Sequence, residues 1–250
     1  MIDPLTELGT WRTWEEQVRV VLPLFAQSPA YVHQPDYAQD ELESVCEALQ
    51  QCDIDVAGKQ RDAEHGGRVY ATRALGPVTR MWVDSAVEIM FLRRTLAQCC
   101  IDMKTLDVLD VGAGYGRLAV AMRPFVKSYT CVDPVSTSVE VCKQYTARYA
   151  ADVEVFDIPT FRATVRHYDL AVNVHSWNEC SLRQVENWLL ALEALRVPLL
   201  FTVSHCQGEE AYRADDGRPS FKPLLLDRYW LAVEESVGLT GHPHALWIRK

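Results

Sequence analysis

The stretch that decides the fold is LDVLDVGAGYGRL, which occupies residues 106–118. Its first half is the short apolar run expected of a central parallel strand, which is covered on both faces and therefore need not alternate. Three glycines, Gly112, Gly114 and Gly116, follow directly and let the backbone turn tightly against a ligand. The apolar residues after them predict a helix that ends at Pro124. The stretch therefore predicts a strand, a ligand-binding turn and a helix start in an α/β protein.

The glycine spacing distinguishes between two classes of cofactor. Dinucleotide sites use G-x-G-x-x-G, in which the third glycine allows close helix packing beside a pyrophosphate. Here the spacing is G-x-G-x-G, and Arg117 stands where the third dinucleotide glycine would fall. Asp110, two residues before the first glycine, would repel a phosphate but suits an ammonium group. The turn therefore fits S-adenosylmethionine (SAM), which has an amino-acid head and a sulfonium but no phosphate.

At this motif the sequence resembles the class I SAM-dependent methyltransferases, whose first motif has the form D-x-G-x-G-x-G. The resemblance implies a Rossmann-like α/β fold with a seven-stranded doubly wound sheet, SAM as cofactor and S-adenosylhomocysteine as product. It also implies a set of cofactor-binding residues in the turn and at the strand ends, namely Asp110, Gly112, Ala113, Gly114, Gly116, Asp133, Pro134, Asp157, Ile158 and Asn173.

Acidic residues also end the next two predicted strands. Asp133 ends the strand at 128–133, about twenty residues beyond the turn, where a carboxylate can accept both ribose hydroxyls. Asp157 follows the strand at 153–156, and the resemblance assigns it to the adenine amino group, with Ile158 packed on the ring. The alternative is that Asp157 is a solvated turn residue. Between these strands, the capping-box spacing of residues 137–140 predicts a helix that starts just after it and runs to about residue 149.

The fourth predicted strand, residues 168–174, ends at the polar and aromatic segment HSWNEC, residues 175–180. A capping-box pattern from Ser181 predicts that a helix follows, so the segment is a loop. In the class I arrangement this loop lies beside the transferable methyl group. His175 is therefore the leading general base, because an imidazole can take a proton near neutral pH. The alternative is a hydrogen-bonded structural histidine, and the second candidate for the base is His205, after the fifth predicted strand.

Other residues near this loop have more than one interpretation. Glu179 could orient the imidazole, hold a substrate hydroxyl or favour the dipole of the following helix. Trp177 could stack on a sugar face or belong to the core. The predicted substrate-binding residues are Tyr70, Trp177 and Asn178.

A narrower resemblance is carried by D-S-x-x-E at residues 84–88 and N-x-x-S-x-x-E at residues 173–179. Together they look like the sugar O-methyltransferases of bacterial biosynthetic clusters, over about residues 70–196. This implies in-line methyl transfer to a hydroxyl of a sugar or sugar-containing small natural product. Cys180 stands where a methionine is expected, which leaves the substrate class open. The alternatives are an N-methyltransferase of a small-molecule amine and a non-catalytic SAM- or nucleotide-binding module. A hydride-transferring dehydrogenase ranks last among the alternatives, because of the glycine spacing.

Composition agrees with a soluble enzyme, and the expected partner is a small-molecule acceptor. The chain has 250 residues, of which 48% are hydrophobic, and a formal net charge of −9, which argues against a nucleic-acid partner. The sequence has neither a long apolar run nor a basic leader, so we expect neither a membrane span nor export and predict a cytoplasmic protein. The sequence does not decide between a monomer and a homodimer. The 8 cysteines lack metal-binding spacing. The aspartate pair at residues 215–216 is interpreted as a solvated turn, so no metal is predicted.

Two regions are expected along the chain. Residues 1–78 form a helical N-terminal lid or substrate region, in which the polar, glycine-rich segment at residues 61–68 predicts a mobile loop. Residues 79–250 form the SAM-binding domain, with the acceptor pocket between the lid and the loops after the fourth and fifth predicted strands. His242 and His244 flank a proline before the last predicted strand and are expected in a hairpin loop. Helices are predicted at residues 10–26, 38–51 and 79–98.

Overall fold

The computed structural model describes residues 38–52, 58–164, 166–204, 208, 211–214, 219–239 and 241–250. In these ranges the strands form a two-stranded and a seven-stranded sheet. The small sheet pairs β1 (Val69–Thr72) with β2 (Gly76–Thr79). The large sheet contains β3 (Asp107–Val111), β4 (Ser128–Val132), β5 (Glu154–Phe156), β6 (Leu170–Val174), β7 (Leu199–Val203), β8 (Tyr229–Val237) and β9 (His242–Arg249).

The large sheet has the strand order β5-β4-β3-β6-β7-β9-β8. Its first five strands are parallel, whereas β9 runs antiparallel to both β7 and β8. The parallel strands therefore end at one common edge, the carboxyl edge, where a doubly wound sheet binds its ligands. Val108 and Leu109 of β3 are both fully buried, which explains the continuous apolar run of this central strand.

Helices cover both faces of the sheet. They are α1 (Gln39–Gln51), α2 (Arg80–Gln98), α3 (Arg117–Met122), α4 (Ser136–Tyr149), α5 (Ile158–Ala163), α6 (Leu182–Ala194) and α7 (Lys222–Arg228). Side chains of α2, α3 and α4 pack on one face, and those of α5, α6 and α7 pack on the other. The predicted doubly wound α/β arrangement is confirmed.

The described part of the N-terminal region is anchored on α2. Leu42, Cys46 and Leu49 of α1 form a buried cluster with Val83 and Val87 of α2. The helix predicted at residues 38–51 is present as α1, whereas the one predicted at residues 10–26 lies outside the described residues. None of the described helices is long and apolar enough to cross a membrane.

Local sequence signals at helix starts had mixed outcomes. The capping box at Ser181 is confirmed, because its hydroxyl accepts from the Gln184 N–H at 3.2 Å and the Gln184 side chain accepts from the Ser181 N–H at 2.9 Å. The capping box at residues 137–140 is wrong. Helix α4 begins at Ser136 without a side-chain cap, so the spacing there falls inside the helix.

The prediction of a hairpin loop at His242 and His244 is wrong. Strand β9 begins at His242, and His244 pairs with Val203 at the end of β7. Pro243 suggested a turn, but a proline is tolerated near the start of a strand. Because β9 is antiparallel to β7, its first residues lie at the carboxyl edge of the sheet.

Candidate active site

The glycine-rich turn is held in conformations that other residues rarely adopt. Gly112, Gly114 and Gly116 have φ values of 75°, 57° and 85°. Close packing adds a second constraint, because a Cβ on Gly112 would lie 2.1 Å from Ser176 Oγ, and one on Gly116 would lie 2.8 Å from Cys142 Sγ. The turn therefore needs glycine both for its backbone and for its contacts with the loop after β6 and with α4.

Asn173 and Ser176 fix the loop after β6 against this turn. Asn173 Nδ2 donates to the Val111 carbonyl at 2.8 Å, and Asn173 Oδ1 accepts from the Trp177 N–H at 3.2 Å. Ser176 Oγ donates to the same carbonyl at 3.2 Å. The structure thus places Asn173 at the predicted cofactor site, where its side chain links β3 to the loop after β6.

Asp110 offers a buried carboxylate near the turn. It accepts a hydrogen bond from Tyr129 Oη at 2.9 Å and makes no ion pair with any residue in the described ranges. Burial raises the pKa of Asp110 to about 7, although the Tyr129 bond lowers it. An ammonium group beside this carboxylate would favour its ionised form, so Asp110 fits the amino-acid head of SAM.

Asp133 lies buried at the end of β4. Its two carboxylate oxygens accept from the Gly114 N–H at 3.0 Å and the Val135 N–H at 2.9 Å, which uses only part of their lone-pair capacity. Burial raises the pKa of Asp133 to about 7, and the two backbone donors lower it. Hydroxyl donors would stabilise the ionised form, as expected of a ribose-binding residue.

Asp157 is the N-cap of α5. Its carboxylate accepts from the Thr160 N–H at 2.9 Å, and hydrogen bonds from the side chain and the backbone of Thr160 lower the pKa of Asp157. Ile158 is buried in the core beside it. Ala113 and Pro134 are both half-buried, in the turn and just after β4.

A buried ion pair joins the turn to α2. Arg117 donates to both carboxylate oxygens of Glu88, at 2.7 and 2.6 Å, and to Ser85 Oγ at 2.8 Å. Glu88 is only 2% exposed, and burial raises its pKa while Arg117 lowers it. The sequence showed Arg117 only where a dinucleotide glycine would fall and Glu88 only as the last residue of the D-S-x-x-E pattern. Their spacing in the chain gave no signal of this pair.

A second buried contact involves Tyr115 of the turn. Tyr115 Oη and Tyr145 Oη donate to the same oxygen of Asp62, at 3.2 and 2.8 Å. Asp62 belongs to a short 3₁₀ helix, Arg61–His65, in the segment predicted as a mobile polar loop. The segment is instead packed on the turn and on α4, because its aspartate finds two tyrosine donors there.

His175 lies at the carboxyl edge directly after β6. Its backbone has φ 67° and ψ −33°, a conformation that costs a non-glycine residue about 1–3 kcal/mol. The His175 N–H donates to the Val203 carbonyl at 2.8 Å, and its ring meets that of His242 edge-on at a centroid distance of 5.1 Å. The structure therefore brings His175 together with a histidine that the sequence placed in a loop.

Two predicted substrate residues have structural roles. Trp177 is 1% exposed and packs in the core, edge-on to Phe221 at a centroid distance of 6.2 Å, so its core interpretation is correct. Asn178 Nδ2 donates to the carbonyls of Ala211 and Arg213 at 3.0 Å each, which ties the loop to a neighbouring segment. Both side chains therefore contact other parts of the protein.

The remaining predicted residues lie in several places. Tyr70 on β1 packs beside α1 and α2, with the Arg68 guanidinium 5.0 Å from its ring centroid. Glu179 is half-buried on the 3₁₀ turn Ser176–Glu179. His205 and the aspartate pair at residues 215–216 lie outside the described residues. Within the described ranges, no group of three or more His, Cys, Asp or Glu side chains could hold a metal ion.

Comparison with known proteins bears on this site. Residues 109–196 match the profile of a family described as a methyltransferase domain. No curated protein matches the chain. Among solved structures, the magnesium protoporphyrin IX methyltransferase ChlM from Synechocystis PCC 6803, with bound SAM, is 12% identical, with a TM-score of 0.50 over 88% of this chain and 100% of that chain.

Another similar structure is the N-methyltransferase NodS from Bradyrhizobium japonicum WM9 in complex with S-adenosyl-L-homocysteine. It is 14% identical, with a TM-score of 0.48 over 84% of this chain and 99% of that chain. A ribosomal protein L11 methylase from Lactobacillus delbrueckii subsp. bulgaricus is 16% identical, with a TM-score of 0.46 over 66% of this chain and 78% of that chain.

The fold is that of the Rossmann-like class I methyltransferases, as predicted. The matched segment begins in β3 and ends after α6, so it includes the glycine turn, Asp133, Asp157 and His175. This segment matches a methyltransferase domain, and the predicted SAM cofactor agrees with that match.

Proposed function

We propose that the chain transfers the methyl group of SAM to a hydroxyl oxygen of a sugar or sugar-containing small natural product. When bound, SAM supplies an electrophilic methyl group whose transfer discharges the sulfonium. The residues of the chain bind the cofactor, orient the acceptor and receive the hydroxyl proton.

For the cofactor, we infer that Asp110 binds the amino group and Asp133 the ribose hydroxyls. Both carboxylates are buried and retain lone pairs for a ligand donor. Asp157 and Ile158 would hold the adenine, because the capping carboxylate, which accepts from Thr160, has further lone pairs for an amino group. The backbone of residues 112–116 would lie along the amino-acid head.

His175 carries the proposal for the acceptor side. Its strained backbone holds the imidazole at the carboxyl edge, and the next residue, Ser176, lies against Gly112 of the cofactor turn. Strain of this kind is tolerated where the surrounding structure over-determines a functional position. In this proposal His175 is the general base, Glu179 on the same turn is its orienting partner, and His205 is the second candidate.

The N-terminal region, residues 1–78, completes the acceptor side in this proposal. Support comes from α1, which packs on the same helix, α2, that the Arg117–Glu88 pair joins to the cofactor turn. The region and the turn are thus connected through one helix.

Replacing His175 tests the general base. We expect His175→Ala and His175→Asn to reduce turnover by roughly 10²- to 10⁴-fold while SAM affinity stays unchanged, because the imidazole acts on the acceptor proton. Turnover is measured with tritium-labelled SAM against a panel of methyl glycosides and a parallel panel of amines. A base of this type also gives a rising limb in the pH profile near the ordinary histidine pKa, roughly 6 to 7.

His167→Ala is the matched control, because this imidazole is 67% exposed and precedes β6 at the opposite edge of the sheet. If turnover falls strongly in His205→Ala and is unchanged in His175→Ala, His205 is the general base and His175 is not. Transfer to amines without transfer to hydroxyls would establish the N-methyltransferase alternative. Tight SAM binding with no transfer to either panel would indicate a binding module.

A further inference from the structure

Two histidines from distant parts of the chain meet at the carboxyl edge of the sheet. The imidazole of His175, directly after β6, contacts that of His242, the first residue of β9. The ring centroids lie 5.1 Å apart, and the angle between the ring planes is 72°. Both residues are half-buried. The contact therefore joins the proposed general base to a side chain of β9.

The pairing of three neighbouring strands sets this contact. The His175 N–H donates to the Val203 carbonyl at the end of β7 at 2.8 Å, and Val203 pairs with His244 of β9. His244 Nδ1 in turn donates to the His242 carbonyl at 2.8 Å. The sheet thus fixes the backbones of both His175 and His242, so little conformational entropy is lost when their rings meet.

His175 and His242 both line a small recess beside α2. Its volume is about 20 Å³, which is room for about one water molecule and too small for an acceptor ring. Val203, Val237 and Gly238 form its apolar wall. On this side His175 is therefore packed against the protein, and an acceptor must reach its imidazole from another side.

The charged side chains of α2 that line the recess are already paired. Arg80 Nε lies 2.8 Å from Asp84, and both side chains are largely buried. Glu88 holds Arg117 through two hydrogen bonds. Each carboxylate of this wall thus has a cationic partner of its own, so the wall places little net charge beside His175.

The wall from β9 contains two histidines of different character. Burial lowers the pKa of His244 to about 4, so its ring is neutral at pH 7. His242 is half-buried, and a histidine can take up a proton near neutral pH. Glu179 is the ionisable residue on the turn of His175 itself. Two imidazoles in contact cannot both be protonated without repulsion, so a proton on His242 disfavours one on His175.

We propose that His242 is a positioning residue for the reaction: its ring fixes the orientation of the His175 imidazole, and its charge, when protonated, keeps that imidazole in the neutral form that accepts a proton. This rests on the proposed function, because it needs His175 as the general base. In the transfer step the acceptor oxygen bonds to the methyl carbon, the electron pair of the carbon–sulfur bond stays on sulfur, and the hydroxyl proton moves to His175. His242 keeps its protonation state and extends turnover to lower pH.

Imidazole NMR on the unaltered protein tests the coupling. The full chain is labelled with ¹⁵N-histidine and titrated from about pH 5 to about pH 9, the range in which histidines change charge. His175 and His242 should each titrate in two steps, because each ring senses the proton on the other. His167 should titrate in one step, since its side chain is 67% exposed and lies at the opposite edge of the sheet. Independent single-step titrations of His175 and His242 would overturn the proposal.

Two substitutions of His242 separate its charge from its ring. His242→Phe keeps a ring beside His175 without a charge, so the acidic limb of the turnover profile should move up by about one pH unit, with less than about twofold change at pH 8. His242→Ala also removes the ring, and kcat should fall about tenfold at both ends of the profile while the acceptor KM stays within about twofold. His167→Phe is the matched control and should leave the limb in place.

The limb distinguishes positioning from a purely structural role. A structural role would lower the melting temperature of both His242 variants and leave the limb of folded His242→Phe unmoved, and that outcome would refute the proposal. Turnover of His175→Ala equal to that of the parent would refute the general base on which the proposal rests. A strong loss in His175→Ala together with single-step titrations would refute the role of His242 alone.

Discussion

Removal of the Asp133 carboxylate is the most direct test of the cofactor site. This carboxylate supports the turn through the N–H groups of Gly114 and Val135. With cofactor bound, its remaining lone pairs would accept from the two ribose hydroxyls. Asp133→Ala therefore removes two contacts to the cofactor and two contacts within the protein, and the two effects need separate measurements.

The expected magnitudes follow from these contacts. Two hydroxyl bonds to a charged acceptor should weaken binding by about 2–4 kcal/mol, or roughly 30- to 700-fold in Kd. Loss of the two backbone contacts should lower the free energy of unfolding by about 1–3 kcal/mol, since relief of a buried carboxylate offsets part of the cost. The first effect is seen by calorimetric titration with S-adenosylhomocysteine, and the second by thermal unfolding of the ligand-free protein.

Asp107→Ala is the matched control. Asp107 begins β3 at the opposite edge of the sheet, where it accepts from Lys127 Nζ at 2.7 Å and Ser128 Oγ at 2.5 Å. Asp107→Ala should have a lower free energy of unfolding than the parent but an unchanged affinity for S-adenosylhomocysteine. If folded Asp133→Ala binds S-adenosylhomocysteine as tightly as the parent, the ribose assignment is wrong, and the carboxylate serves only to hold the turn.

Three further outcomes are expected. Gly112→Ala should unfold at a lower temperature and bind S-adenosylhomocysteine at least tenfold more weakly, because its Cβ would lie 2.1 Å from Ser176 Oγ at a φ of 75°; unchanged affinity by calorimetry would contradict this. Asp62→Ala should lower the free energy of unfolding in urea by about 1–3 kcal/mol by leaving the Tyr145 hydroxyl without its acceptor, and an unchanged midpoint would refute it. Burial raises the pKa of Asp110 from 3.8 to about 7, so the folded state holds this proton more tightly than the unfolded chain, and the free energy of unfolding should fall as pH rises from about 4 to about 7; Asp110→Asn should flatten that slope.

The central part of the fold could be predicted because its signals are local. The strand, turn and helix around residues 106–118 combine an apolar run with three glycines within a few residues. Each glycine has a positive φ angle that few other residues adopt. The capping box at Ser181 is equally local, since both of its hydrogen bonds join Ser181 to Gln184. Asp110 and Asp133 could be placed because parallel strands end at a common edge.

The acceptor side could not be predicted because its contacts join distant parts of the chain. His244 reaches the carboxyl edge only through its pairing with Val203, which depends on the antiparallel return of β9. The D-S-x-x-E pattern did not show that Glu88 is buried, which the Arg117 guanidinium makes tolerable. For Trp177 the local sequence allowed two interpretations, because an aromatic residue in a polar loop can face a ligand or the core. The structure buries it in the core.

The placement of Arg117 shows how this chain links the two halves of its site. A glycine there would allow the helix to approach a pyrophosphate, which SAM lacks, so the position is available for a side chain that reaches α2. Its bidentate pairing with Glu88 joins the helix that starts at the cofactor turn to the helix that carries Arg80 and Asp84. Because removing one partner of a buried ion pair costs about 3–5 kcal/mol, this pair holds the helix after the turn firmly on α2. The position that excludes a dinucleotide is therefore the one that couples the cofactor turn to α2.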